Sequence, residues 1–483
     1  MSRGLQMPNK IIPLQPGDAP GTPAAARPSR RQFLATAGSG LAATAVVSGF
    51  PSIVPSSVLG AAAPSNRINV GAIGTGRISR GHDLPGIIRH DIARVVAACD
   101  LDQKRVADAK VLIEKAYTEK QGQPYTGVKT YTDYRELLAN PDIDAVVIST
   151  PDHQHALLAI DAARAGKDIY LQKPASLTIS EGRAVADAVH RSGRIFQIGS
   201  QQRSTIQFRY AAELVRNGRI GDLKTVEVGL PGDPAGGDPT PVPPPATFDY
   251  DAWLGSTPVV PYAIERVHPQ SGYGRPGWLR CEQFGAGMIT GWGAHHIDSA
   301  HWGMNTEYTG PVEIWGTAEF PTQGLWSVHG PFRTEALYAN GVHMIVSGDF
   351  TNGIKFIGTK GWIFVSRGNE QVTTSDPVAK LKDATALASS DPAIITSVIG
   401  PDEIHLEESK EHHLNWLEAV RSRRQPIAPV EVAHRACSAC LLHHIAMRAK
   451  RRLFWDPVHE RFKNDDAANA LLSRPQRPPY VVT

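Results

Sequence analysis

The sequence predicts an α/β protein in two parts. A doubly wound parallel sheet is expected over residues 64–200, followed over residues 201–483 by an α+β domain with a large open, mainly antiparallel sheet. Three observations carry this expectation. Short apolar runs alternate with helical stretches after Arg67, a glycine-rich turn joins the first run to the first helix, and after Ser200 the rhythm changes to longer, more widely spaced β-like runs.

In the first part, residues 68–73, 93–99, 145–149, 169–171 and 195–198 read as strands. Helices are expected between them at 78–88, 103–119, 134–139, 155–165 and 180–191. In the second part a helix near 206–217 precedes β-like runs at 225–230, 312–320 and 343–350, and two late helices are expected near 411–421 and 432–451. The Pro/Gly-rich stretch 231–245 reads as a long loop, and no internal repeat is visible.

A length of 483 residues with 41% hydrophobic and 20% charged residues is ample for two cores. The formal charge of +3 comes from the N-terminus, where residues 1–63 hold five Lys/Arg against one Asp. The remainder is close to neutral, which argues against a nucleic-acid partner. Ser29-Arg30-Arg31-Gln32-Phe33-Leu34, a mild apolar stretch and then Ala61-Ala62-Ala63 read as a twin-arginine signal with a cleavage site. Export to the periplasm or another extracytoplasmic space is therefore expected, with no membrane anchor after the signal is removed.

Four cysteines are too few for a disulfide framework. Cys437 and Cys440, followed by His443 and His444, suggest either a zinc corner or two buried cysteines on one helix; the helical character of 432–451 and the lack of a second ligand cluster favour the helix.

The strongest local signal is Gly74-x-Gly76-x-x-Ser79 between the first strand and the first helix. Gly74 permits the tight turn, and Gly76 lets a pyrophosphate approach the backbone at the positive end of the helix; Arg77 and Ile78 complete this nucleotide-binding segment. Ser79 stands where a third glycine is usual. Asp100 ends the second strand, where a carboxylate can accept the hydroxyls of an adenosine ribose and repel a 2′-phosphate. The pattern is that of a Rossmann domain favouring NAD, while Lys104 and Arg105 keep NADP open and Asp100 has an alternative reading as a helix cap. At the carboxyl edge of the later strands, Thr150 and Pro151 are expected to line the cofactor cleft. His153 and His155 next to them are either cofactor neighbours or capping and surface residues, and Gln172-Lys173-Pro174 brings a lysine to the same edge.

These motifs, together with Gly293-Ala294-His295-His296-Ile297-Asp298 and Gln425-Pro426-Ile427-Ala428-Pro429-Val430, resemble the glucose-fructose oxidoreductase and inositol dehydrogenase (Gfo/Idh/MocA) family over nearly everything after Arg67. The resemblance implies hydride transfer between a nicotinamide and a carbohydrate or polyol carbon, a second domain often used for oligomerisation (homodimer or homotetramer), and Lys173 and His295 as catalytic residues. Gln172, Thr150, Pro151, His153 and His155 fall in its cofactor motifs. The sequence departs from the family at Gln172, where glutamate is usual, and at Gly291, where many relatives carry aspartate.

Read chemically, a neutral imidazole at His295 suits the proton of an alcohol, and Lys173 would orient its oxygen. Arg203, Trp292, His296 and Asp298 are the expected substrate contacts, with Trp253 and Tyr262 as further aromatic candidates. Asp298 is a candidate replacement for the missing carboxylate at 291, and a metal site from His295, His296, Asp298 and His301 is a further alternative. Twin-arginine export carries folded proteins, so the nucleotide is expected to be tightly held. Two other functions stay open: a glycosidase or lyase that oxidises its sugar only transiently, and an exported nucleotide- or sugar-binding protein without catalysis.

Overall fold

Runs such as Ile68–Ile73 and Ala145–Ile148 are apolar on both faces and so must be covered on both. In the computed structural model, which describes residues 67–368 and 386–482, they form the centre of a six-stranded parallel sheet. The twin-arginine segment expected within residues 1–63 lies outside the described residues. Strands β1 (Ile68–Ile73), β2 (Ala93–Cys99), β3 (Lys129–Tyr131), β4 (Ala145–Ile148), β5 (Asp168–Leu171) and β6 (Phe196–Ile198) lie in the order β3-β2-β1-β4-β5-β6. Every pairing in this sheet is parallel.

The helices of this layer are α1 (Leu84–Ile88), α2 (Gln103–Gln121), α3 (Tyr134–Ala139), α4 (Asp152–Arg164) and α5 (Ile179–Ser192). Asp102 caps α2 by accepting the Lys104 N–H, and Thr178 with Glu181 forms a reciprocal capping box on α5. Two starts differ from expectation. The helix expected over 78–88 is divided, because Ser79–Asp83 forms one wider π-helical turn before α1 begins. Helix α4 begins at Asp152, three residues earlier than expected: Pro151 stands extended just before it and Asp152 places a carboxylate in the first turn, where the helix dipole favours one.

The second sheet has nine strands among the described residues. They are β7 (Leu223–Gly229), β8 (Pro311–Ala318), β9 (Phe332–Tyr338), β10 (His343–Ser347), β11 (Gly353–Gly358), β12 (Trp362–Val365), β13 (Leu387–Ser389), β14 (Leu453–Asp456) and β15 (Arg461–Phe462). Their order is β13-β12-β11-β7-β10-β9-β8-β14-β15, and only β7 with β10 runs parallel. The Pro/Gly-rich stretch 231–245 carries no helix or strand, only an isolated bridge from Gly236 to Gly324.

Three helices cover this sheet and join it to the first layer: α6 (Ile206–Arg216), α7 (Gly293–Met304) and, late in the chain, α9 (Val430–Ala449), which packs against α5, α7, β8 and β9. The preceding helix, α8 (His412–Ser422), does not stay with the second sheet. Its Trp416, Leu417 and Val420 enter the core of the parallel sheet beside Val70, Val95 and Tyr170. A boundary at residue 200 thus separates the two sheets but not the two cores. Cys437 and Cys440 are buried in α9 as free thiols, Cys437 donating to the Ser176 carbonyl, so the helical reading holds and the zinc corner does not. Among the described residues no helix is long and apolar enough to cross a membrane.

Arg203, expected to touch substrate, instead locks α7 to the turn after β6. Its guanidinium is buried and forms two 2.7 Å bonds to the Asp298 carboxylate and a third to Glu307, with its carbon over the Trp302 ring. Ser200 Oγ donates to the same Asp298 at 2.6 Å. Asp298 is buried in this pairing and absent from the cleft wall, which corrects both its expected contact with substrate and its expected support of His295. Removing the cation leaves the buried Asp298 carboxylate without a counter-charge, while Glu307 keeps Arg216 at 3.7 Å, so Arg203→Met is expected to lower unfolding free energy by about 3–5 kcal/mol. Urea denaturation of the variant against the parent protein measures that loss.

Candidate active site

The site begins at the turn after β1. Gly74 has φ +81°, and a Cβ there would sit 2.8 Å from the Ser149 carbonyl carbon and from Thr150 Cγ2, so the close approach of the β1 and β4 ends requires glycine. Gly76 differs: a Cβ would meet nothing nearer than Arg105 Nη1 at 3.9 Å, which leaves the backbone open to a ligand. Asp100 holds the turn, its Oδ2 accepting Thr75 N–H at 2.7 Å and Thr75 Oγ1 at 2.9 Å, while Oδ1 accepts Asp102 N–H at 3.0 Å. Asp102, not Asp100, is the helix cap. Ser79 is fully buried in the position of the third glycine. Gly74, Gly76, Arg77, Ile78 and Asp100 all line one cleft, which continues past Thr150, Pro151 and Gln172 to Lys173. An exposed glycine cradle at a helix start with a carboxylate beside it fits a dinucleotide. Of the basic pair that kept NADP open, Lys104 donates to the Gln270 carbonyl at 3.4 Å, whereas Arg105 gives Nη2 to the Pro269 carbonyl at 2.7 Å and still lines the cleft beside Gly76.

At the far end of the cleft, β5 delivers Lys173 and the start of α4 delivers Asp152. Asp152 is buried and Lys173 half-buried at the cleft wall, and each shifts the other. Burial pushes the Asp152 carboxyl up from its ordinary range, opposed by the charge of Lys173. Burial pulls the Lys173 ammonium down, opposed by Asp152 and assisted by Arg367, Arg275 and Arg77. Asp152 was not singled out by the sequence, although it stands inside the Thr150-Pro151-Asp152-His153 motif.

His153 and His155, read as cofactor neighbours or as capping and surface residues, are neither. Both are buried within α4 and absent from the cleft wall. His153 pairs with the Trp253 carbonyl at 2.7 Å, and burial pulls its imidazole down to about 3. His155 lies between the carbonyls of Pro174 (2.6 Å) and Thr150 (2.9 Å), with burial pulling it down to about 4. A neutral ring satisfies one of these carbonyls at a time. Its service is to fix the distance between the two strand ends that carry Thr150 and Lys173.

His295 and Trp292, from α7 and the residue before it, close the cleft opposite. The His295 imidazole is held well below its ordinary range by burial and then by Arg367 and Lys173, and its Nδ1 has no hydrogen-bond partner. It is neutral throughout the physiological range. The neutral imidazole thus shares one end of the cleft with Lys173 and Asp152. Trp292 lies under the Arg367 guanidinium, 4.6 Å from its ring centre. His296 points away from the cleft, pairing with Gln202 and, at 2.8 Å, with Asn352, so its expected substrate contact is also corrected. Trp253 edges the cleft, whereas Tyr262 belongs to a satellite core with Phe248, Trp253 and Phe284. His295, His296, Asp298 and His301 do not converge as metal ligands. Gly291 lines the cleft without a carboxylate, and Asp152 supplies one from the opposite domain.

The second departure, Gln172, has a partner the sequence did not reveal. Its Nε2 donates at 2.8 Å to Asp83 Oδ1, a fully buried carboxylate whose Oδ2 accepts Ser149 Oγ at 2.7 Å. A glutamate at 172 would set two carboxylates against each other without water between them, so the amide is the residue this neighbour demands.

A cradle of this kind at the carboxyl edge of a doubly wound sheet, leading to a half-buried lysine, defines the class of nicotinamide-nucleotide oxidoreductases. Comparison with known proteins agrees. Residues 68–200 match the model of the oxidoreductase family with an NAD-binding Rossmann fold, and residues 236–393 and 400–482 match that family's C-terminal alpha/beta domain. The chain belongs to the Gfo/Idh/MocA oxidoreductase family. Similar proteins include the uncharacterized oxidoreductase YrbE of Bacillus subtilis, 32% identical over 32% of this chain and 42% of its own. Levoglucosan dehydrogenase of Pseudarthrobacter phenanthrenivorans is 30% identical over 32% of this chain and 39% of its own. Alpha-N-acetylgalactosaminidase of Shewanella oneidensis is 31% identical over 40% and 44%. The chain thus spans less than half the length of these curated relatives. Among solved structures, GenD2 from gentamicin A biosynthesis in complex with NAD has a TM-score of 0.55 at 16% identity, covering 81% of this chain and 97% of that one. These solved neighbours speak for the fold.

Gln172→Glu is expected to cost roughly 1.5–3 kcal/mol by removing a hydrogen bond to a buried charge and adding a like one. Combining it with Asp83→Asn should recover a large part of that loss in a double-mutant cycle followed by thermal denaturation.

Proposed function

We propose that this protein is an exported NAD-dependent oxidoreductase that acts on a hydroxyl of a sugar, glycoside or cyclitol and keeps its nucleotide tightly bound. The observation that carries the proposal is the single cleft in which Gly74, Gly76 and Asp100 at one end meet Asp152, Lys173 and His295 at the other. NAD, when bound, accepts hydride from the carbon that bears the hydroxyl. The residues that would hold it are Gly74, Gly76, Arg77, Ile78, Asp100, Thr150, Pro151 and Gln172. The proton leaves the substrate oxygen at Lys173 Nζ, whose depressed proton affinity makes the neutral amine accessible near neutrality, and Asp152 holds the counter-charge. The neutral His295 orients the same oxygen, and Trp292 offers an aromatic face to a sugar ring.

Export rests on the twin arginines at Arg30 and Arg31 and explains why a nucleotide captured before export would need to stay bound. A homodimer or homotetramer belongs to the same reading, and its support is the match of the second domain to the family's C-terminal domain. A second reading, transient oxidation that cleaves a glycoside with no net redox change, is favoured by one observation: burial keeps the Asp152 carboxyl protonated to higher pH than usual, as the acid of a leaving group must be. The glycosidase names among its relatives point the same way.

The test is to purify the exported protein, denature it and identify the released nucleotide by mass spectrometry. Near-stoichiometric NAD(H) is the expected result; no nucleotide, with no uptake of added NAD or NADP, would leave a non-catalytic binding protein in its place. With a substrate in hand, Lys173→Met should lower kcat by about 10²–10⁴-fold with the nucleotide still bound. In Asp152→Asn the lysine loses the charge that stabilises its ammonium, so the rising limb of the pH–rate profile for oxidation should move to lower pH. A limb that stays in place would remove Asp152 from the proton path.

A further inference from the structure

Behind the floor of the cleft, on the side away from substrate, residues from four segments meet. The π-helical turn after the glycine cradle supplies His82 and Asp83, the ends of β4 and β5 supply Ser149 and Gln172, and α8 with the residue before it supplies His413 and Glu411. Asp83 Oδ1 lies 3.1 Å from His413 Nε2. His82 Nε2 is buried, makes no hydrogen bond, and its ring stands 4.9 Å from that of His413. One ligand atom from each of His82, Asp83 and His413 falls within 4.8 Å of the others, the one such grouping of three among the described residues.

We propose that His82 Nε2, Asp83 Oδ1 and His413 Nε2 bind a divalent transition-metal ion of the zinc class, which braces the cofactor cleft from beneath. Two imidazoles and a carboxylate are the donor set such ions take, with ligand atoms about 3.3 Å apart around a tetrahedral centre. The Asp83–His413 pair already has that spacing, and His82 offers a ligand atom within 4.8 Å of both.

The surroundings are those of a metal site as well. Glu411 Oε1 pairs with His413 Nδ1 at 3.2 Å and so aims Nε2 at the ion, the carboxylate–histidine arrangement that orients metal-bound imidazoles. The other Glu411 oxygen is held by His90 at 2.8 Å. Gly86 leaves the room for this: a Cβ there would lie 2.3 Å from His413 Nδ1. Because Ser149 and Gln172 both donate to Asp83, the ion is tied through one carboxylate to the strand ends that carry Thr150 and Lys173. It is a brace and takes no part in hydride transfer, so the inference stands or falls apart from the proposed reaction.

The experiment uses the untagged full chain, stripped with a chelator, equilibrated with Co²⁺ as the probe and desalted. The expected result is about one cobalt per chain with visible d–d absorption, and a rise in thermal midpoint when Zn²⁺ replaces it. His82→Gln, whose fold is checked by circular dichroism, should retain less than roughly a tenth of the cobalt, while His459→Gln, which alters an exposed histidine, should retain all of it. No retained cobalt in the parent protein, or equal retention in His82→Gln, would overturn the proposal.

Discussion

Two opposite charges at the carboxyl edge of the parallel sheet govern this molecule. Asp152 is buried and Lys173 is half-buried at the wall of the cleft, so each charge leans on the other. Together they moderate each other's cost, the ammonium lowering the carboxyl's proton affinity and the carboxylate raising the lysine's. That balance exists only while the β4 and β5 ends keep their separation, and His155, wedged between the Thr150 and Pro174 carbonyls, keeps it.

The rest of the architecture serves the same edge. Gly74 lets β1 approach the end of β4, Asp100 secures the turn that follows, and the amide of Gln172 answers the buried Asp83 carboxylate. Helix α8 returns from late in the chain to cover the parallel sheet, while α7 and α9 bring the second sheet against it. The cleft is therefore not a seam between two independent units. Its walls are cross-braced by polar contacts, above all the Arg203–Asp298–Glu307 network, which draws α7 and with it His295 into place.

Much of this was legible in the sequence, for identifiable reasons. β1, β2 and α3 have the bounds expected, because an unbroken apolar run or a capped amphipathic turn is a local signal. Strand β3, Lys129-Thr130-Tyr131, is short, polar and half exposed at a sheet edge, and offers no such signal. β9 was missed because two of its inward positions are Thr334 and Ala336, so the alternation that its burial displays is faint in hydrophobicity. At the site, the glycine turn, Asp100, Lys173 and His295 stood in recognisable motifs. Arg203, His296 and Asp298 stood close to those motifs but turn inward, since partners 94 to 104 residues apart in the chain satisfy them. Asp83 was invisible for the same reason, its partners lying 66, 89 and 330 residues away.

The most direct measurement is of the hydride itself. Sugars and glycosides deuterated at each ring carbon, incubated with the purified protein, should leave deuterium on the nicotinamide ring of the bound nucleotide for one labelled position, detected by mass spectrometry after denaturation. Net oxidation leaves the deuterium on the nucleotide, whereas transient oxidation holds it there only until the deuteride returns to the sugar, so samples are also quenched within the first turnover. A sugar that binds in the cleft while the nucleotide stays unlabelled from every position, in samples quenched within the first turnover as well as after long incubation, would contradict hydride transfer at Lys173 and His295.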